Sequence, residues 1–193
     1  MRRRRGRLLR RIQRRLESFY HLERAPDVVD FVRDGGQDSR EVLLVRDHGE
    51  EIEMALVLPP EQPREGAEAE DLRLQLLEGV SHFVYIAERA RTGLPATQLE
   101  LELQAEVDKF VLLALETPFE RRRSRDLHFR LYECVRFLDP PGTEAYERYR
   151  LANDLAARFV ARMLDKDGPA TMRAELCRFY RLGQTDKISL AAA

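Results

Sequence analysis

The chain has 193 residues, of which 44% are hydrophobic and 35% are charged, and its formal net charge at pH 7 is -1. This hydrophobic content excludes global disorder, and the length is that of one compact domain. No apolar run is long enough to cross a bilayer, and arginines interrupt the N-terminal stretch where a secretory signal needs an apolar core. The sequence therefore predicts a cytoplasmic protein without a transmembrane span.

The small net charge conceals an uneven distribution along the chain. Nine arginines and no acidic residue lie among the first fifteen residues, so the rest of the chain has a charge of -10. These arginines are Arg2, Arg3, Arg4, Arg5, Arg7, Arg10, Arg11, Arg14 and Arg15. A basic segment on an acidic body indicates an anionic partner, or an anionic surface of the protein itself.

The first predicted element is a helix over about residues 6–23, because apolar residues recur there at helical spacing and Pro26 follows. We expect Leu16, Phe19 and Tyr20 to dock this helix on the rest of the protein, while residues 1–7 fray. Residues 1–23 are thus predicted to form a basic N-terminal arm.

Residues 24–60 change to the alternation that is typical of strands. A short strand is expected near Val28–Val32, and strands at about 41–46 and 51–58 form a hairpin whose turn lies at 47–50. These three strands predict an antiparallel β-meander. A sheet this small is not stable alone, so we expect it to pack on helices.

Helical patterns dominate residues 71–183, which follow a predicted solvated linker at 59–70. The predicted helices span about 71–92, 98–116, 122–138, 144–165 and 169–181. Thr97 and Glu100 have the spacing of a capping box. Residues 184–193 are predicted to be a tail. The fold class is therefore α+β: an N-terminal helix and a small antiparallel three-stranded meander, followed by a bundle of about five helices, in one compact domain.

The sequence contains none of the well-marked nucleotide-binding, hydrolase, metalloprotease or zinc-finger motifs. It therefore favours a non-catalytic interaction protein without a cofactor, which contacts an anionic macromolecule through the basic arm. Three partners fit the arm: nucleic acid phosphates, an anionic membrane contacted also by Leu8, Leu9 and Ile12, or an acidic protein surface. A solvated terminus without a partner is the fourth alternative.

A second basic cluster precedes the fourth predicted helix. Its arginines, which are also candidate contacts for an anionic partner, are Arg121, Arg122, Arg123 and Arg125. Ser124 is a candidate N-cap beside them. The alternative is a solvated loop that neutralises nearby acidic faces.

The alternative function is a metal-dependent enzyme with a carboxylate and histidine site in the helical bundle. Glu78 and His82 are four residues apart on one predicted helix, as are Glu102 and Glu106 on the next. An antiparallel hairpin of these helices would bring Glu106 near His82, and His128 would add a second nitrogen. Such a ligand set suits zinc, iron or manganese. Alternatively, His82 and Glu106 form a structural pair that determines helix register.

Overall fold

The computed structural model describes residues 2–36, 40–49, 52–60, 62, 65–116, 120–166 and 168–193. Across these residues the structure is α+β, with seven α-helices and a three-stranded mixed sheet. The chain divides into two compact units, Met1–Pro95 and Ala96–Ala193. The division lies inside 71–183, the region for which the sequence predicts one helical bundle.

The first unit begins with helix α1, Arg2–Tyr20. The helix ends where His21 takes the left-handed conformation, with φ of 54°, a common way to terminate a helix. The inner face of α1 is buried and apolar, and it consists of Leu9, Ile12, Leu16, Phe19 and Tyr20. It packs against helix α2, Gly66–Arg91. The predicted docking through Leu16, Phe19 and Tyr20 is therefore confirmed.

The expected fraying of residues 1–7 is wrong, because α1 is helical from Arg2 onward. Gly6 is buried, and a Cβ atom at this position would lie 3.7 Å from the side chain of Val29. Leu9 is 1% exposed. The first half of α1 is therefore attached to the core of the first unit, and it is a structural helix as well as a basic one.

The strand predicted near Val28–Val32 is mostly a single 3₁₀ turn, Val28–Phe31. Asp27 caps this turn, since its Oδ1 accepts a hydrogen bond from the backbone N–H of Val29 at 3.1 Å. Strand β1 consequently spans only Val32–Asp34. The aspartate cap favours a 3₁₀ turn over extended structure here, because an aspartate side chain can hydrogen-bond to the nearby backbone.

The other two strands are β2, Val42–Asp47, and β3, Ile52–Leu58. They form the predicted hairpin, with Leu43 opposite Leu56 in antiparallel register. The meander is wrong: the strand order is β1-β3-β2, and β1 pairs with β3 in parallel. Strand β3 takes the central position because its Leu56 and Leu58 are fully buried. Strands β1 and β2 lie at the two edges of the sheet.

Helix α2 covers one face of the sheet. Gly79 makes this contact close, because a Cβ atom there would lie 2.9 Å from Cδ1 of Leu56. A glycine inside a helix costs about 1 kcal/mol relative to alanine, and here it permits the helix to approach β3. Helix α2 begins at Gly66, within the predicted linker. Residue 50 of the predicted turn and residues 61, 63 and 64 of that linker lie outside the described residues.

The described part of the second unit is helical. Its elements are α3 (Gln98–Ala114), α4 (Arg121–His128), a π-helical turn (Phe129–Glu133), α5 (Glu144–Leu164), α6 (Pro169–Arg181) and α7 (Gln184–Ala192). The capping box is confirmed, because Thr97 and Glu100 exchange hydrogen bonds between side chain and backbone at the start of α3. The core includes the stacked rings of Phe159 and Phe179, whose centroids are 4.1 Å apart.

Two predictions for the second unit need correction. The helix expected at 122–138 ends at Glu133, after the π-helical turn. The tail expected at 184–193 is helix α7, in which Lys187 and Ala191 are fully buried. Arg162 of α5 donates hydrogen bonds to the carbonyl oxygens of Leu190 and Ala191 in the last turn of α7. A helix of nine residues is unstable in isolation, so tertiary contacts hold it in place.

Candidate functional site

The outer surface of α1 is a continuous basic face. We call it the arginine face, and it consists of the exposed Arg3, Arg4, Arg7, Arg11 and Arg14. At 1.5 Å of rise per residue, it extends over about 17 Å. The acidic residue of α1, Glu17, is 7% exposed and turned toward the interior. Positive charge is therefore concentrated on the solvent side of this helix.

Two other arginines of the arm contact residues elsewhere in the first unit. Arg5 donates a hydrogen bond from Nη1 to the carbonyl oxygen of Pro59 at 3.1 Å and lies 3.6 Å from a carboxylate oxygen of Asp34. Arg10 donates from Nε to Asp27 at 2.6 Å. Arg15 is half-buried, and the side chain of Arg2 lies outside the described part of the structure. The arm thus neutralises part of its own acidic body, as one of the sequence alternatives allows.

The surroundings of Asp27, which forms an ion pair with Arg10, shift the pKa of its carboxyl group. Partial burial raises the pKa of Asp27, but the Arg10 hydrogen bond, the Val29 N–H and the charges of Arg10 and Arg14 outweigh it. The net result is a pKa below the ordinary value of an aspartate. Asp27 is therefore a carboxylate throughout the physiological pH range and a permanent partner for Arg10.

The second basic cluster forms the exposed first turns of α4. Arg121 donates a hydrogen bond to the carbonyl oxygen of Lys166 at 3.0 Å, Arg123 lies 2.9 Å from Glu120, and Arg125 lies 3.3 Å from Asp165. Arg122 is exposed as well. Several of these arginines therefore face acidic or carbonyl groups of their own unit, and they lie in a helix rather than in the solvated loop that one alternative expected.

Ser124 is not the N-cap of α4, contrary to one sequence expectation. Glu120 occupies the N-cap position. Ser124 is buried inside the helix, and its backbone N–H donates to the carbonyl oxygen of Glu120 at 2.9 Å. The helix therefore begins one turn earlier than the serine suggests, with the arginines inside it.

The residues of the predicted metal site belong to different units. Glu78 and His82 lie one turn apart on α2 in the first unit, both about nine-tenths buried. The ligand atoms of these two side chains lie within 4.8 Å of each other. A carboxylate oxygen and an imidazole nitrogen at this separation can bind the same divalent ion.

The remaining predicted ligands lie in the second unit, where each has a partner. Glu102 lies 3.8 Å from Arg148, and Glu106 lies 2.7 Å from Nζ of Lys109. The Nε2 of His128 lies 2.9 Å from the carbonyl oxygen of Ala157. These contacts favour structural roles for Glu106 and His128.

Two buried polar arrangements escaped the sequence analysis. Lys187 is 0% exposed, and its Nζ donates to Oε1 of Gln104 at 2.6 Å. Gln104 in turn donates to Asp108 at 2.8 Å. Tyr132 donates its hydroxyl to the backbone carbonyl of Glu106 at 2.9 Å, and burial, with the Glu106 and Asp108 charges, holds its pKa well above the ordinary value. Neither arrangement has a sequence motif, because its members come from separate helices.

Comparisons of the chain with protein-family models, with curated proteins and with solved structures give no match. In the part of the chain that the structure describes, none of the helices is long and apolar enough to span a bilayer.

Proposed function

We propose that this protein is a non-catalytic binding protein that contacts the phosphates of a nucleic acid through the arginine face of α1. The observation on which the proposal rests is the arrangement of α1: five exposed arginines on the outer side and a buried apolar face on the inner side. Arginine recognises phosphate through paired, charge-assisted hydrogen bonds. Contacts of this kind position a nucleic acid without reading its bases.

The burial of the inner face supports nucleic acid over an anionic membrane. A helix that lies in the membrane interface inserts its apolar side chains among the lipids. Leu9 and Ile12 are 1% and 4% exposed, because they pack in the core of the first unit. Leu8 alone of the three apolar residues named for the membrane alternative is exposed. Phosphate contact needs only the arginines and leaves the core undisturbed.

Binding to duplex DNA should weaken steeply with salt. Each neutralised phosphate contributes about -0.9 to the slope of log K against log salt, so five contacts predict a slope of about -4 to -5. The triple variant Arg3→Gln, Arg7→Gln, Arg11→Gln should reduce this slope by about 3. Fluorescence anisotropy at several salt concentrations measures both values.

The matched control has the same change in net charge at exposed arginines elsewhere in the first unit. The variant Arg33→Gln, Arg40→Gln, Arg46→Gln should keep the parental slope. A second variant that replaces Arg121, Arg122 and Arg125 by glutamine tests the other cluster. If the parent does not bind DNA at low salt, or if the control loses as much affinity for DNA as the α1 variant, the proposal is wrong. Equal binding to anionic vesicles that requires Leu8 would instead support the membrane alternative.

Metal binding at Glu78 and His82 is a second candidate function, favoured by their separation of at most 4.8 Å. An ion held by these side chains would stabilise the folded protein by mass action. Titration with zinc, iron or manganese should then raise the melting temperature of the parent. His82→Ala should abolish the rise, whereas His48→Ala, at an exposed position, should leave it unchanged. Metal-independent melting of the parent would eliminate this candidate.

A further inference from the structure

An open cleft lies between the second half of α1 and the loop at 24–27. Its volume is about 170 Å³, which accommodates one phosphate-sized group, and Arg10, Arg14 and Arg24 line it. Gln13, Glu17 and Asp27 line it as well. Arg14 belongs both to this cleft and to the arginine face, so the cleft adjoins the proposed binding surface.

The shape of the cleft is determined by two buried polar side chains of α1. Gln13 donates to the carbonyl oxygen of Pro26 at 2.9 Å, and its own oxygen accepts from the N–H of Val28 at 2.9 Å. Glu17 accepts from the N–H of Ala25 at 3.1 Å. These bonds hold the returning loop against α1, and they place Arg24 on the wall of a cleft that Arg10 and Arg14 also line. A site whose donors are already positioned loses less entropy when its ligand binds.

Within the cleft, an aspartate competes with any external anion. Asp27 accepts the 2.6 Å hydrogen bond from Arg10, so one guanidinium group already faces a carboxylate. Three arginines against the two acidic residues Glu17 and Asp27 leave an excess positive charge. A ligand with two negative charges gains more from this excess than a ligand with one.

We propose that this cleft binds a phosphate monoester at the end of a nucleic acid strand, with Arg14 and Arg24 as its main ligands and Asp27 as an internal competitor. The inference rests on the proposed function, because the rest of the strand lies on the arginine face. A terminal phosphate approaches two charges, whereas each internal phosphodiester has one. The cleft therefore recognises strand ends, while the arginine face binds the strand at any position.

The test compares one single strand with a 5′ phosphate and the same strand with a 5′ hydroxyl, both measured by anisotropy at fixed salt. The phosphorylated strand should bind about tenfold tighter or more, in line with one additional charge-assisted contact. Arg24→Gln should abolish this preference and keep the affinity for the hydroxyl strand. Arg7→Gln, on the arginine face, should weaken both strands by the same factor.

Asp27→Asn should have the opposite effect to Arg24→Gln on the preference for the phosphorylated strand. Asparagine retains an oxygen that can accept from Val29 N–H, so the 3₁₀ turn stays capped, but the competing charge is removed. The preference for the phosphorylated strand should increase by about threefold or more.

Each outcome distinguishes the two proposals. Equal affinity for both strands would refute the terminal-phosphate site and leave the proposed function standing. Failure of both strands to bind would refute the terminal-phosphate site, and failure of duplex DNA to bind as well would refute the proposed function. Vesicles that contain phosphatidic acid present the same monoester on a lipid. Binding to these vesicles that requires Arg24, without any preference between the strands, would overturn the assignment to nucleic acid.

Discussion

Deletion of residues 1–11 should destabilise the first unit by at least about 3–5 kcal/mol, because it removes Leu9 from the core. It also removes the Arg10 partner of Asp27 and the Arg5 contact with Pro59. Small domains have about 5–15 kcal/mol of stability in total. We therefore expect the amides of the sheet to lose much of their protection from hydrogen exchange. Urea denaturation followed by circular dichroism, with hydrogen exchange of the β3 amides, measures the effect.

The control for this deletion is the triple variant Arg3→Gln, Arg7→Gln, Arg11→Gln. It removes charge from the arginine face and retains every buried side chain of α1, so its stability should lie within about 0.5 kcal/mol of the parent. If the truncated protein melts like the parent, residues 1–11 are dispensable for the fold, in line with the fraying that the sequence predicts for residues 1–7. The pair of variants therefore separates the structural role of α1 from its binding role.

Replacement of Lys187 by alanine should destabilise the second unit by about 3–5 kcal/mol. The substitution leaves a cavity where the side chain lay between Gln104 and the rings of Phe179 and Tyr180. It also removes the hydrogen bond that satisfies a buried amide oxygen, and a loss of this kind costs about 1–3 kcal/mol. Thermal and urea unfolding measure the loss.

Two further variants separate the causes of this effect. Lys187→Met retains most of the side-chain volume and removes only the hydrogen bond and charge, so its cost should be about 1–3 kcal/mol. Lys166→Ala changes an exposed lysine and should have no measurable effect. An alanine variant at position 187 that unfolds like the parent would show that α7 does not support the second unit.

Local patterns predicted those elements whose cause is local. The capping box of Thr97 and Glu100 needs only neighbouring residues, and it was predicted at the correct position. The hairpin of β2 and β3 was also predicted, since alternating apolar residues on both sides of a turn are a short-range signal. The metal and partner assignments stay predictions, because neither the fold nor the comparisons identify what these residues bind.

Sequence alone determined the α+β class, the basic surface of α1 and the inward position of Leu16, Phe19 and Tyr20. These follow from periodicity, which one chain segment contains entirely. Only the tertiary structure decided that β3 lies between β1 and β2, that Gln184–Ala192 is a helix, and that Arg10, Arg14 and Arg24 line one cleft. Strand order, the burial of Lys187 and the position of a loop against a helix depend on contacts between distant residues, and these contacts have no periodic signature along the chain.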